Sequence, residues 1–213
     1  LTAVRRGVAA ISEVSTMPQR ATTKVHAVFD DLWTAATQHA FLEAVRDGTV
    51  SNSAFDRWLA QDALFVADLL TFQARLLARA PRQAQTVLVG GCSALVAELD
   101  WFEDQAARRH IDLPAAPLPV TLAYRELLQR LDTQPFEVAV TALWVIERVY
   151  LLAWTHAASP TSPFGEFVEH WTVPEFAAYV DGLAALKEDG HDSLVAEVLQ
   201  LEVWFWDMAL ETS

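Results

Sequence analysis

Apolar residues recur along most of this chain at the three- and four-residue spacing of one helix face, and almost nowhere at the two-residue spacing of a strand. The pattern predicts a first helix from about Thr23 to Val45. A second starts behind the cap candidates Ser51 and Ser53 and runs to about Ala80, ahead of Pro81. A third spans about Ala84 to His110, with Gly90 and Gly91 inside it. The run from Leu113 to Pro119 holds three prolines and reads as a loop. Helices are then expected from about Val120 to Asp132 and from Pro135 to about Ala158. A short element should follow Pro163, and two more helices should run from about Pro174 and from Asp192 to about Leu210. The Asp-Gly pairs at Asp47-Gly48 and Asp189-Gly190 fall where helices should stop rather than between alternating strands. The expected fold class is therefore all-α. Residues 1–22 read as a flexible leader, with a docked arm as the alternative, and residues 23–213 as one helical domain.

The same periodicity isolates four acids. Around Asp62, the positions that share its helix face are Phe55, Trp58, Leu59, Phe65, Val66 and Leu69, all apolar. Around Glu202 they are Val195, Val198, Leu199, Phe205, Trp206 and Ala209. Around Glu147 they are Val140, Leu143, Trp144, Tyr150, Leu151 and Trp154. Glu98 sits among Gly91, Ala94, Leu95, Trp101 and Phe102, with Gln105 softening the stripe. A carboxyl on a core-facing stripe is costly unless it is paired, hydrogen-bonded or protonated. Burial moves its pKa towards the range useful for proton transfer. Each acid alone also suits a purely structural role, as the buried partner of an Arg or a Tyr. Four on four helices point to a site.

Composition narrows the alternatives. The 213 residues carry a net charge of −13, with lysine only at positions 24 and 187. That balance argues against nucleic acid and anionic membrane surfaces as partners. No apolar run approaches the length of a membrane span. The single cysteine, Cys92, rules out an intrachain disulfide, fits a cytoplasmic protein, and reads as a small packing residue. Eight tryptophans and eleven phenylalanines suit a core that also walls a pocket for a flat ligand. A dimetal carboxylate bundle needs Glu-x-x-His pairs on its helices. The one such pair, Glu188 with His191, spans an expected turn, and His39 beside Ala35, Ala36 and Leu42 reads as a core histidine. No metal or other cofactor is expected.

Several segments resemble the TenA (thiaminase II) family. They are Leu32-Trp33 with His39 to Phe41, Asp47-Gly48, Phe55 to Asp62, Tyr124 after the proline loop, Leu143 to Tyr150, Phe164 to Phe176, and Glu202 to Trp206. The stretch around Glu147 resembles the branch that carries Glu where other members carry a catalytic Cys. Phe65, Phe164 and Trp171 stand where the Cys branch has tyrosine. The resemblance implies a heme-oxygenase-like helical bundle without heme or metal, assembled as a homodimer or homotetramer. It also implies hydrolysis of a formylaminopyrimidine or aminopyrimidine to the hydroxymethylpyrimidine in thiamin salvage. On that basis Asp62, Glu147 and Glu202 are the expected catalytic residues. Phe65, Tyr124, Tyr150 and Trp206 are the expected ring contacts, with Phe65 and Tyr124 sandwiching or edging the pyrimidine, and Glu98 joins the binding set. Two other readings stay open: an oxidase or oxygenase on the same fold, and a non-catalytic ligand-binding regulator.

Overall fold

A break at Gln38 and His39 divides the first helical stretch in two. The computed structural model describes residues 29–211, so the leader expected over residues 1–22 lies outside the described residues. Helix α1 covers 29–37 and α2 covers Ala40–Asp47. The continuous helix expected from Thr23 to Val45 is thus corrected. His39 adopts an extended backbone, and its Nδ1 accepts the Phe41 backbone N–H at 3.2 Å as an N-cap. Nδ1 is then an acceptor, so Nε2 carries the hydrogen and donates to Asp207 at 3.1 Å. His39 is therefore a half-buried cap and not the core histidine that its apolar neighbours suggested.

The remaining helices follow the periodicity closely. They are α3 (Asn52–Ala78), α4 (Gln85–Arg109), α5 (Pro119–Leu131), α6 (Phe136–His156), α7 (Gly165–Trp171), α8 (Pro174–Ala184) and α9 (Asp192–Leu210). Their ends have local causes. Ser51 Oγ accepts the Ala54 N–H at 3.2 Å and starts α3. Pro119 and Pro174 occupy first-turn positions, where a missing N–H costs nothing. Gly48 closes α2 at φ +71°, a conformation that glycine adopts freely. Among the described residues there is no strand, and no helix is long and apolar enough to cross a membrane.

Helix α3 is the hub: it packs most extensively on α4 and also touches α5, α6 and α9, while α6 carries α8 and α9. One hydrophobic core results, with Trp58, Trp154, Trp206, Tyr124 and Phe205 among its fully or almost fully buried large side chains. Trp206 Nε1 donates to the Ala36 carbonyl at 2.9 Å and ties α9 to α1.

Sequence periodicity offered no role for Gln61, yet it locks α5 in place. Its Nε2 donates to the Ala116 carbonyl at 3.0 Å. Its Oε1 accepts the Leu118 N–H at 2.9 Å and the Thr121 hydroxyl at 2.6 Å. Helix α5 has no side-chain cap of its own, so this buried amide from α3 supplies one and fixes where Tyr124 points. Gln61→Leu leaves the buried Thr121 hydroxyl and the half-buried Leu118 N–H without their partner, while the exposed Ala116 carbonyl can turn to water. Each buried polar group so left costs about 1–3 kcal/mol. Even partial rehydration leaves an expected loss of roughly 2 kcal/mol or more. Chemical denaturation would measure it, and a midpoint equal to wild type would refute the capping role.

Candidate active site

Each of the four acids projects from a different helix into the same interior: Asp62 from α3, Glu98 from α4, Glu147 from α6 and Glu202 from α9. Asp62 is fully buried and Glu202 nearly so. Glu147 is buried, and Glu98 is half-buried because it faces a cavity. That cavity holds about 610 Å³ and lies between α3, α4, α6 and the α7–α8 segment. Phe65, Glu98, Glu147, Tyr150, His170 and Trp171 contribute to its wall. Among the described residues, no Lys or Arg lines it, and Cys92 is not one of its lining residues.

Asp62, Glu202, Tyr124 and Trp206 stand one layer behind that wall. The Tyr150 hydroxyl donates to Asp62 Oδ1, and the Tyr124 hydroxyl donates to Glu202 Oε1. The other Asp62 oxygen, Oδ2, is buried without a hydrogen-bond partner among the described residues. Trp171 Nε1 donates to Glu98 at 2.7 Å. Phe65 and Tyr124, expected to sandwich or edge the ligand ring, touch each other directly. Their centroids are 4.6 Å apart and tilted at 58°, so the two rings fill each other's space. Phe65 and Tyr150 both face the cavity, 6.5 Å apart and within 25° of parallel. A flat ring between two others needs roughly 7 Å, twice the usual carbon contact distance. That pair is therefore close to the required opening.

Burial without a compensating cation governs the electrostatics. It pushes Glu98 up to about 7, partly offset by the Trp171 hydrogen bond. It pushes Glu202 up to about 8, partly offset by Tyr124. Burial raises Asp62 well above the carboxylate range; the Tyr150 bond opposes the rise, and the charges of Glu98 and Glu202 add to it. Glu147 is also raised well above its ordinary value, by burial first and then by Glu98 and Glu202, with Tyr179 opposing the rise. Tyr124 and Tyr150 rise too, so both keep their hydroxyl protons. Burial lowers His170 to about 4, which leaves a neutral imidazole stacked on Trp101 with centroids 4.0 Å apart. His170 was not legible as a wall residue in the sequence, because a lone histidine beside Trp171 carries no periodic signal. Among the described residues, no group of three or more His, Cys, Asp or Glu is disposed to hold a metal ion.

These shifts dictate a pH dependence of stability. Glu202 ionises near 4.5 in an unfolded chain and near 8 in the folded one. Between those values the folded protein holds a proton that the unfolded chain has released. The stabilisation that Glu202 contributes is complete below about 4.5 and is lost as pH rises to about 8. The melting temperature is expected to decline across that window, and more gently in Glu202→Gln, which cannot ionise. Equal slopes for the two proteins would show that Glu202 does not hold its proton.

The chain matches the TENA/THI-4/PQQC family model over residues 26–212. It is 32% identical over 201 residues to a Glycine max protein named "Probable bifunctional TENA-E protein", covering 84% of this chain and 88% of that one. Among solved structures, it resembles a TenA homologue from Pyrococcus furiosus at 26% identity and a TM-score of 0.77, covering 88% of this chain and 98% of that one. A putative TenA-like thiaminase from Sulfolobus solfataricus shares the fold at 16% identity and a TM-score of 0.78, over 89% and 95% of the two chains. The helical order, the shared interior of the four acids and these matches agree: the chain belongs to the TENA/THI-4/PQQC family.

Proposed function

We propose that this protein is a hydrolase of thiamin salvage that acts on a small aminopyrimidine, breaking an exocyclic C–N bond and forming a C–O bond from water. One observation carries the reading: a fully buried carboxyl oxygen, Asp62 Oδ2, lacks a protein partner beside an aromatic cavity free of cations. A buried carboxyl oxygen of this kind suits a ligand that brings a hydrogen-bond partner. A protonated or amino-substituted pyrimidine brings one on a flat, apolar body.

In this reading the pyrimidine enters between Phe65 and Tyr150, with a small outward shift of one ring, and turns its nitrogen edge to Asp62. Trp206 and Tyr124 back the inner wall, and Glu98 serves the cavity side. The carboxyls of Glu147 and Glu202 supply and take up the protons that C–N cleavage and water attack require. The Glu202 pKa, raised to about 8, supports its part in this, because its acid and base forms are then both accessible near neutral pH. A wall without Lys or Arg favours neutral or cationic substrates over anionic ones.

The direct test incubates purified protein with formylaminopyrimidine, aminopyrimidine and thiamin and detects hydroxymethylpyrimidine. Release from at least one aminopyrimidine is expected, and no product from any of the three would sink the reading. Glu202→Gln keeps shape but cannot exchange a proton, so turnover should fall by roughly 10²-fold or more with little change in KM. Asp62→Asn should instead weaken binding as well as rate, because part of an acceptor becomes a donor. Steady-state kinetics of both variants, with melting curves as a fold control, would separate the two roles. Near wild-type turnover in Glu202→Gln would remove that residue from the mechanism.

A further inference from the structure

The two oxygens of Glu98 stand in different situations. Oε1 accepts the Trp171 indole N–H at 2.7 Å. That indole is held on three sides. It stacks on Trp154 with centroids 4.6 Å apart, meets Trp101 edge-on at 5.2 Å and meets Tyr150 edge-on at 6.0 Å. The donor is therefore fixed, and so is the oxygen it binds. Oε2 has no hydrogen-bond partner among the described residues. Glu98 is half-buried and lines the cavity with Phe65, Tyr150 and Trp171, so its second oxygen serves whatever enters there.

Position limits what Oε2 can reach. Trp171 stands beside Tyr150, one of the two rings between which the flat ligand is read to sit. The carboxyl that Trp171 holds belongs to the cavity wall, whereas Asp62 stands a layer behind it. A ring in that slot can turn one edge to Asp62 and still extend a short arm to Glu98. Charge limits what the arm carries. The other titratable groups of the wall are Glu147, Tyr150, His170, Glu175 and Tyr179. Four of them are acids, and burial lowers His170 to about 4, which leaves it neutral. Asp62 and Glu202 behind the wall are acids too. Among the described residues, no Lys or Arg lines the cavity to balance an ionised Glu98. An ammonium group supplies both the N–H donor for Oε2 and the opposite charge. The faces of the surrounding rings favour the same charge. A hydroxyl brings a donor without the charge, and a phosphate brings the wrong sign.

We propose that Glu98 determines the specificity of the cavity, selecting ligands whose flat ring carries a short ammonium arm, with Oε2 accepting an N–H of that arm while Trp171 retains Oε1. This rests on the reading of the cavity as an aminopyrimidine site and deepens it: the exocyclic amine is recognised as a cation, apart from the ring nitrogens. Burial places the Glu98 midpoint at about 7, so ionising it to meet the ammonium costs little near neutral pH. Exchange of the amine for a hydroxyl removes the charge that held the arm. The hydroxymethyl product is then bound more weakly than the substrate, which favours its release.

Benzylamine and benzyl alcohol test the assignment, because they share a flat ring, differ only in the arm and lack the pyrimidine nitrogens. At pH 8 Glu98 is mostly ionised. Benzylamine is still a cation there, with a pKa of roughly 9, between those of an α-amino group and lysine. In calorimetric titrations of the whole protein, benzylamine should bind about tenfold or more tightly than benzyl alcohol, the scale of a charge-assisted hydrogen bond. Glu98→Gln keeps the shape and an acceptor for Trp171. It should bring the two affinities within about threefold of each other, with benzyl alcohol bound as in the wild type. No preference for benzylamine in the wild type overturns the proposal. So does a preference that survives in Glu98→Gln, which would place the ammonium on another acid. Equal loss of both probes in Glu98→Gln also overturns it, by assigning Glu98 to the structure of the wall. Hydrolysis in the product assay without a benzylamine preference rejects this assignment and leaves the hydrolase reading standing. A preference that depends on Glu98, with no hydrolysis, rejects only the hydrolase reading.

Discussion

Four carboxyl groups share an interior whose cavity wall, among the described residues, brings no Lys or Arg to meet them, and much of the architecture answers that constraint. Removing an ionised carboxylate from water is prohibitively costly without a partner, so such a group either stays protonated or finds strong donors. Tyr150, Tyr124 and Trp171 provide donors to Asp62, Glu202 and Glu98, and burial keeps the carboxyls near neutrality. The donors come from α5, α6 and α7, while three of the acids come from α3, α4 and α9. The polar contacts therefore stitch the same helices that the apolar stripes pack together. A bundle held by its apolar faces alone tolerates small slides between helices. One whose buried carboxyls must meet hydroxyls across the core does not.

Aromatic rings supply the second half of this arrangement. Trp58, Trp154, Trp171 and Phe167 touch one another at mixed edge and stacked angles beneath the cavity. Ring pairs prefer such geometries, and their large rigid surfaces resist collapse into the empty space beside them. The cavity persists because its walls are stiff, and its lining is mostly apolar because the polar groups are spent on each other.

Much of this was legible in the sequence because helical periodicity reports which face is buried. Acids at Asp62, Glu147 and Glu202 interrupt otherwise apolar stripes, and their convergence follows once the stripes are packed. Helix ends at Gly48, Pro119 and Pro174 were equally visible, since those residues act locally. Three things were not. The break at His39 depends on Asp207, 168 residues away, which holds the ring that caps α2. Gln61 and Gln73 look like ordinary polar residues on a long helix, and only their partners on α5, α4 and α8 make them buried hubs. The layering of the site was also hidden. A stripe says that Asp62, Glu202 and Tyr124 point inward, but not that they lie behind Phe65 and Tyr150 rather than on the open wall.

The unpartnered Asp62 Oδ2 also bears on how much folded protein persists. Among the described residues, this buried carboxyl oxygen of the hub helix has no hydrogen-bond partner. Whatever molecule satisfies it completes the core as much as it occupies a site. Occupancy then feeds directly into the balance between folded and unfolded chains by mass action. A cell rich in the ligand would keep a larger stock of intact protein than a starved one with identical synthesis, with no dedicated sensor involved.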